Sequence, residues 1–169
     1  MTVSTLDSLD FAIRAIQSIA FSLHSVLGIT EPCTGCLRGA FRDPDGAIPV
    51  WFWPLAGILL AVVAWANIHF SQNDTIVLVA QAYIATFHSG GVYYHWKLGH
   101  HPAAGCAPGF FVVLAVLVTT IRANFLVAIV GAFLCVGLAI ILGRFLVKVP
   151  PRSGSSSSSG QSEELLSQH

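Results

Sequence analysis

The sequence predicts an all-α membrane protein, a polytopic transmembrane helical bundle of four to five spans that ends in a disordered Ser-rich tail. Of its 169 residues, 54% are hydrophobic and 9% are charged, and the mean hydropathy is +0.73. A soluble domain carries roughly a quarter charged residues, so this chain has too little polar surface to cover a soluble globule. Its hydrophobic residues also gather in uncharged runs of about 20, the length of a helix that crosses a bilayer.

The charge balance narrows the range of partners. Eight Lys and Arg residues match eight Asp and Glu residues, so the formal net charge is zero. A chain without a basic face does not neutralise phosphates, and we therefore expect no nucleic-acid partner. The first ten residues carry no Lys or Arg, unlike a signal peptide, so we expect the first span to remain in the mature protein.

Five hydrophobic segments are predicted to cross the membrane within a bundle that covers residues 1–149; they are residues 11–29, 47–70, 75–96, 107–121 and 123–143. The last two come from one run whose single formal charge is Arg122. One helix of that length would measure about 55 Å, against a hydrocarbon core of roughly 30 Å. We therefore divide the run at Arg122; a single tilted helix, giving four spans, is the alternative. Residues 150–169 are Ser-rich and of low complexity, which predicts a disordered tail.

Charge placement favours five spans. That arrangement puts only Arg14 and Arg122 on one side of the membrane, and six basic residues on the other: Arg38, Arg42, Lys97, Arg144, Lys148 and Arg152. The positive-inside rule then places the C-terminus in the cytoplasm. Between spans one and two, the Pro, Gly and Asp content predicts a loop over residues 30–46. Asp74 is the predicted N-cap of the third span.

A polar stripe runs along the third span. Gln81, His88 and His95 are spaced by seven residues, so they lie on one face of a helix. Polar groups at this depth need a protein, ligand or water partner, because lipid offers them none. The stripe is therefore the strongest functional signal in the chain.

The first span has a polar face as well, made of five residues: Arg14, Gln17, Ser18, His24 and Ser25. Arg14 lies near enough to the end of that span to snorkel. Spans one and three run in the same direction, which puts Gln17 level with Gln81 and His24 level with His88. The two imidazoles are candidate ligands of a haem, parts of a proton relay, or binding groups for a polar ligand head. The favoured interpretation is a pair of neutral rings that bond to Gln17, Gln81 or Ser25 and fix helix register.

The Cys33-x-x-Cys36 motif is ambiguous between a redox dithiol, half of a zinc site and a structural disulfide. The loops after spans one and three share one side of the membrane, which can bring this motif near the second loop. This proximity gives one set of candidate residues for redox chemistry and one for zinc binding. The redox candidates are Cys33, Cys36 and Cys106, and the candidate zinc ligands are Cys33, Cys36, His100 and His101.

Small residues recur every fourth position on span five, at Gly131, Cys135, Ala139 and Gly143. Such a stripe lets another helix approach closely, and packing within the chain is favoured over a dimer seam. Arg122 and Lys97 are interpreted as snorkelling anchors, with pairing to an anionic lipid or substrate as the alternative. The predicted spans hold no Asp or Glu, which argues against a carboxylate-based ion pump.

The segment from Trp51 to Arg122 resembles the DoxX-like family of small four-helix membrane proteins. The resemblance rests on the second-span sequence LAGILLAVV, on GGVYYHWKLGHHP at the end of the third span, and on a short fourth span ending at Arg122. It implies a membrane helical bundle in which His95 and Arg122 are family-like polar positions. Some members look like partners of membrane redox complexes, and a eukaryotic branch resembles an assembly chaperone for receptors. This chain departs from the pattern by lacking an acidic residue in span two and by its fifth span.

A polar interior without a complete catalytic set predicts a non-enzymatic accessory subunit or assembly factor of a membrane complex. The first alternative is a membrane redox protein that uses Cys33 and Cys36 or a His-bound cofactor. The second is a small transporter whose pathway is lined by Gln and His. All three expect the bilayer as environment, and the first expects a protein partner within it. The residues expected to form a polar interior or to contact a ligand are Arg14, Gln17, Gln81, His95 and Arg122.

Overall fold

The computed structural model describes residues 4–40 and 46–149, which form six α-helices, one 3-10 turn and, within those ranges, no strand. The helices are α1 (Thr5–Thr34), α2 (Cys36–Ala40), α3 (Phe52–His69), α4 (Asp74–Lys97), α5 (Cys106–Arg122) and α6 (Phe125–Leu146), and the 3-10 turn is Pro102–Gly105. Every helix except α2 belongs to a segment long and apolar enough to cross a membrane. The all-α transmembrane bundle is therefore confirmed, and the protein is a multi-pass integral membrane protein. The tail predicted over residues 150–169 lies outside the described residues.

The first helix is longer than the sequence predicted. It begins with a capping box, in which the Asp7 backbone N–H donates to the Ser4 hydroxyl oxygen at 3.1 Å. It continues through Pro32 and ends before Gly35, whose positive φ of 61° closes the helix in the left-handed conformation. The loop predicted from residue 30 is thus wrong for its first five residues, because the left-handed glycine and not the proline stops the helix.

The N-cap of α4 is Asn73, whose side-chain oxygen accepts the backbone N–H of Ile76 at 3.1 Å. The prediction of Asp74 as N-cap is wrong by one residue. The Asp74 carboxylate instead accepts a hydrogen bond from Arg122 at 2.8 Å. Capping and ion pairing are therefore divided between two neighbouring residues.

The helices alternate in direction, so the bundle has two ends. At what we call the N-terminal end, α1, α4 and α6 begin and α3 and α5 finish; the other is the C-terminal end. At the C-terminal end, Lys97 Nζ donates to the Val147 carbonyl at 2.7 Å and the Lys148 backbone N–H donates to the Ala47 carbonyl at 2.8 Å. The loops assigned to one side of the membrane therefore do meet. The cytoplasmic location of that side stays a prediction.

Helix α4 occupies the middle of the bundle. It packs against α3, α5 and α6, and α1 packs most extensively against α3. Across the described ranges, the backbones of α3 and α6 do not approach each other closely. Both helices therefore lie beside α4 without close backbone contact to each other.

The small-residue stripe of α6 faces α4. A Cβ added at Gly143 would lie 2.5 Å from the Tyr93 ring, and the Cys135 thiol donates to the Ala82 carbonyl at 3.5 Å. Ala139, between them, is buried. The stripe thus serves packing within the chain, as the sequence analysis favoured.

Candidate functional site

Four charged side chains meet at the N-terminal end of the bundle and form what we call the charged cluster: Asp10, Arg14, Asp74 and Arg122. Asp10 is 1% exposed and Arg14 2% exposed. The Asp10 Oδ2 atom accepts from Arg14 Nε at 2.9 Å and from Arg122 Nη2 at 2.6 Å. Two carboxylates therefore neutralise two guanidinium groups at this end of the bundle, with Asp10 and Arg14 buried and Asp74 exposed.

The charged cluster corrects three sequence-based interpretations. Arg14 does not snorkel, because its guanidinium is buried and donates to both Asp10 and the backbone carbonyl of Asn67. Arg122 pairs with carboxylates of its own chain, so its interpretation as a snorkelling anchor is wrong. Acidic residues do occur in the spanning helices, since α1 starts early enough to include Asp10 and runs far enough to include Glu31.

Three amide side chains lie one layer deeper and form what we call the amide cluster: Gln17, Asn67 and Gln81. All three are buried. The two glutamine side chains bond to each other at 3.0 and 3.1 Å, and Asn67 bonds to Gln17 at 3.1 Å and to Gln81 at 2.9 Å. The level placement of Gln17 and Gln81 is confirmed. The sequence analysis missed Asn67, a lone amide after a long apolar run in α3.

The two histidines do not join the amide cluster. Nδ1 of His24 lies 3.1 Å from the Ala20 carbonyl, and Nδ1 of His88 lies 2.9 Å from the Ile84 carbonyl. A carbonyl only accepts hydrogen bonds, so in the neutral ring we assign the proton to Nδ1 and the lone pair to Nε2. The predicted bonds from these rings to Gln17, Gln81 or Ser25 are wrong, because each ring is satisfied by its own helix four residues back.

Both rings line one cavity of about 390 Å³. Its walls come from the second half of α1 and α6, the first half of α3 and α5, and α4 from Tyr83 onward. It therefore occupies the half of the bundle near the C-terminal end. Its lining is largely apolar and includes no carboxylate, amine, guanidinium or thiol side chain from the described ranges.

An aromatic layer separates the cavity from the amide cluster. The rings of Phe21, His88 and Phe111 contact one another with centroids 4.9 to 5.2 Å apart. Phe21 is fully buried and lies between Gln17 and His24 along α1. The charged cluster and the amide cluster thus lie toward the N-terminal end of the bundle, and the cavity lies toward the C-terminal end.

The cavity reaches the lipid-facing surface between α3 and α6. Leu55 and Leu59 of α3 and Leu142 of α6 line it and are also exposed on the outside of the bundle. The backbones of these two helices do not approach each other closely in the described part of the chain. We infer that this outer edge of the cavity, which we call the lateral opening, faces the acyl chains.

Gly90 of α4 lines the cavity without filling it. A Cβ added there would meet no atom within 4 Å, whereas one added at neighbouring Gly91 would lie 3.2 Å from Pro108. The absence of a side chain at Gly90 therefore leaves open space in the cavity. The absence of a side chain at Gly91 lets α5 approach α4 closely.

His95 completes the polar stripe on α4 and is buried, as are Gln81 and His88, so the stripe faces the interior. Nδ1 of His95 lies 2.9 Å from Nδ1 of His100, which puts a shared proton between the two rings. His101 is not part of this pair; its Nδ1 accepts from the Ala103 backbone N–H at 3.2 Å and caps the 3-10 turn. His95, one member of this imidazole pair, also lines the cavity.

The cysteines are free and remain separate in the described structure. Cys33, Cys36 and Cys106 are exposed. Within residues 4–40 and 46–149, no three His, Cys, Asp or Glu side chains are placed to hold one metal ion. The structure therefore does not bring together the proposed zinc ligands Cys33, Cys36, His100 and His101. The redox role of the thiols stays a prediction.

The Cys33-x-x-Cys36 motif lies on an ordered turn. The buried Glu31 carboxylate accepts from the backbone N–H of Leu37 at 2.6 Å and of Arg38 at 3.0 Å, and from Arg38 Nε at 3.1 Å. These bonds fold α2 back onto the end of α1. Glu31 was not singled out from the sequence, although a buried acid before a short helix is a natural capping group.

A haem held by His24 and His88 would need the two imidazoles on opposite walls of an open slot. The two rings come from different helices, α1 and α4, and both line the cavity. A haem between them stays a prediction.

Comparisons with protein-family models, curated proteins and solved structures find no match for this chain. The resemblance to the DoxX-like family therefore stays a prediction.

Proposed function

We propose that this integral membrane protein is a non-enzymatic binding protein for a small apolar molecule taken from the bilayer. The observation that carries the proposal is the cavity with its lateral opening between α3 and α6. Ligand pockets are mostly apolar clefts of roughly 300 to 1,000 Å³ with a few placed polar groups. This cavity has that size and that character.

The distribution of charge supports binding over catalysis or ion transport. Asp10, Arg14 and Arg122 pair in the charged cluster, away from the cavity, and the other buried acid, Glu31, is bonded to Arg38 and to backbone N–H groups. The cavity wall includes three imidazoles but no charged side chain among the described residues. Burying an ion in such surroundings is costly, so the expected occupant is neutral.

Filling the cavity at Gly90 is expected to abolish binding. A Leu side chain at that position would extend into open space, and leucine is a better helix former than glycine, so the helix itself should not suffer. A variant that retains only Trp53, which lines the cavity, reports occupancy through quenching by 1-bromododecane in detergent. Gly90→Leu should weaken saturable quenching at least tenfold, and Gly90→Ala should have a smaller effect.

The control for this experiment is Gly137→Leu. Gly137 lies on α6, does not line the cavity, and its added Cβ would also meet no atom within 4 Å. It should leave quenching unchanged. Saturable quenching of Gly90→Leu equal to that of the parent would reject the proposed function.

A second candidate is the accessory subunit or assembly factor predicted from the sequence. The observation in its favour is the low burial of α5 and α6: 17% of the most apolar stretch of each is buried, against 39% in α1, α3 and α4. A photo-crosslinking residue in place of exposed Phe133 of α6 should then yield protein adducts in native membranes. The same residue in place of exposed Ile19 of α1 should not. Lipid adducts alone at both positions would contradict this candidate. The redox and transporter alternatives stay predictions.

A further inference from the structure

The deep part of the cavity offers hydrogen-bond acceptors. Because Nδ1 of His24 and Nδ1 of His88 donate to backbone carbonyls, the atom left on each ring is an Nε2 with a lone pair. In the described part of the chain, neither Nε2 takes part in a hydrogen bond, and both rings line the cavity. A buried acceptor gains most from a partner that can donate.

The neighbouring polar groups do not supply that donor. The Thr86 hydroxyl donates to the Ala82 carbonyl at 2.9 Å, which leaves its oxygen as an acceptor. The Tyr83 hydroxyl can take either role, so it adds to the site without satisfying both imidazoles. The two Nε2 atoms are therefore acceptors that Thr86 does not serve, although the wall of the same cavity also includes the Trp53 indole N–H and the Tyr94 hydroxyl, which can donate to a ligand.

The orientation of the His88 ring is fixed before any ligand arrives. It is held on one edge by the Ile84 carbonyl, and it contacts the rings of Phe21 and Phe111 at centroid distances of 5.1 and 4.9 Å. A preorganised acceptor in an apolar wall favours ligands that carry a hydrogen-bond donor over ligands that lack one.

We propose that the ligand is a neutral, largely apolar molecule with a hydroxyl group, an alcohol or a phenol, whose O–H donates to Nε2 of His24 or His88. This inference rests on the proposed function and specifies its ligand class. The apolar body of the molecule lies against the remainder of the cavity wall and reaches the bilayer through the lateral opening between α3 and α6. Esters, ethers and ketones of the same shape lack the proton and leave the imidazoles without a partner.

The test is competition against 1-bromododecane in the variant that retains only Trp53. The competitors are 4-octylphenol and 4-octylanisole, which differ by the replacement of the hydroxyl proton with a methyl group. With concentrations expressed as mole fractions in the micelle, the phenol should relieve quenching at a level at least tenfold lower. A third competitor, 1-dodecanol, assigns the site to alcohols in general if it matches the phenol and to phenols if it is weaker.

Two variants connect the preference to the imidazoles. His24→Leu combined with His88→Leu should reduce the ratio between phenol and anisole to near one while bromododecane still quenches. His69→Leu is the control, because His69 lies on α3 outside the cavity and stacks on Trp65; it should keep the ratio.

The outcomes separate the two proposals. Equal displacement by phenol and anisole in the parent protein would overturn the hydroxyl inference and leave the binding function standing. A lack of saturable quenching of Trp53 by bromododecane would overturn the binding function itself. If the double histidine replacement leaves the ratio between phenol and anisole unchanged, the hydroxyl does not bind the imidazoles, and the inference is also overturned.

Discussion

Replacing Asp10 with leucine is expected to destabilise the folded bundle by about 3 to 5 kcal/mol, the usual effect of removing one partner of a buried ion pair. Asp10 is the carboxylate shared by two guanidinium groups. Without it, Arg122 still has Asp74, but Arg14 keeps only a backbone carbonyl in a buried site. Unfolding with increasing SDS in mixed micelles measures the change in free energy.

Two further variants show whether the loss of stability comes from the buried ion pair. Asp7 lies on the same helix, is exposed and belongs to the capping box, so Asp7→Leu should lower stability by only about 1 kcal/mol. Combining Asp10→Leu with Arg14→Leu should recover most of the loss, because apolar side chains often replace a buried ion pair at little cost. An Asp10→Leu variant as stable as Asp7→Leu, or a double variant weaker than Asp10→Leu alone, would show that the charged cluster does not hold the helices together.

The spanning helices could be predicted from sequence where charged residues mark their ends. The third predicted span, residues 75–96, differs from α4 by one residue at each end, since Asp74 and Lys97 bound an uncharged run. The break between α5 and α6 was predicted because Arg122 is the single formal charge in a run of 37 residues. Helix α1 was predicted too short because Asp10 and Glu31 counted against it, although both are buried within the bundle. A prediction based on hydropathy places these acids outside the membrane-spanning helix, although both are buried inside the protein.

The polar interior could be predicted only in part. The pairing of Gln17 with Gln81 followed from their equal depth in two helices of the same direction. Asn67 could not be added, because its contact depends on how α3 is rotated against α1, which its featureless apolar sequence does not indicate. The hydrogen-bond partners of His24 and His88 were missed for a different reason: a backbone carbonyl four residues back competes with every tertiary partner, and the sequence does not indicate which of them the ring bonds.

The cavity could not be predicted from the sequence, because it depends on the spacing of α3 and α6 and on Gly90 lying in its wall. A glycine in an apolar helix is equally typical of close packing, and its neighbour Gly91 shows that role. Only the positions of the surrounding helices distinguish the two.

Introducing valine at Gly57 is expected to destabilise the protein by about 3 kcal/mol, at the upper end of the usual effect of overpacking. A Cβ at this position would lie 2.8 Å from the Ser25 carbonyl oxygen and 2.9 Å from the Ile29 backbone nitrogen. Both atoms belong to the backbone of α1, so α1 and α3 must separate to make room. Gly137→Val is the control; with nothing within 4 Å of its Cβ, it should change stability by about 0.5 kcal/mol or less.

The two glycines at this crossing should act as one unit. A Cβ at Gly28 would lie 2.8 Å from the Trp53 carbonyl oxygen and 3.1 Å from the Gly57 Cα, so it forces the same separation of the same helices. Once Gly57→Ala has separated α1 from α3, Gly28→Ala should add little, and the double variant should lose clearly less stability than the sum of the single losses. Strict additivity in the SDS titration would mean that each alanine is accommodated locally, and that direct contact of the two backbones does not set the spacing of α1 and α3.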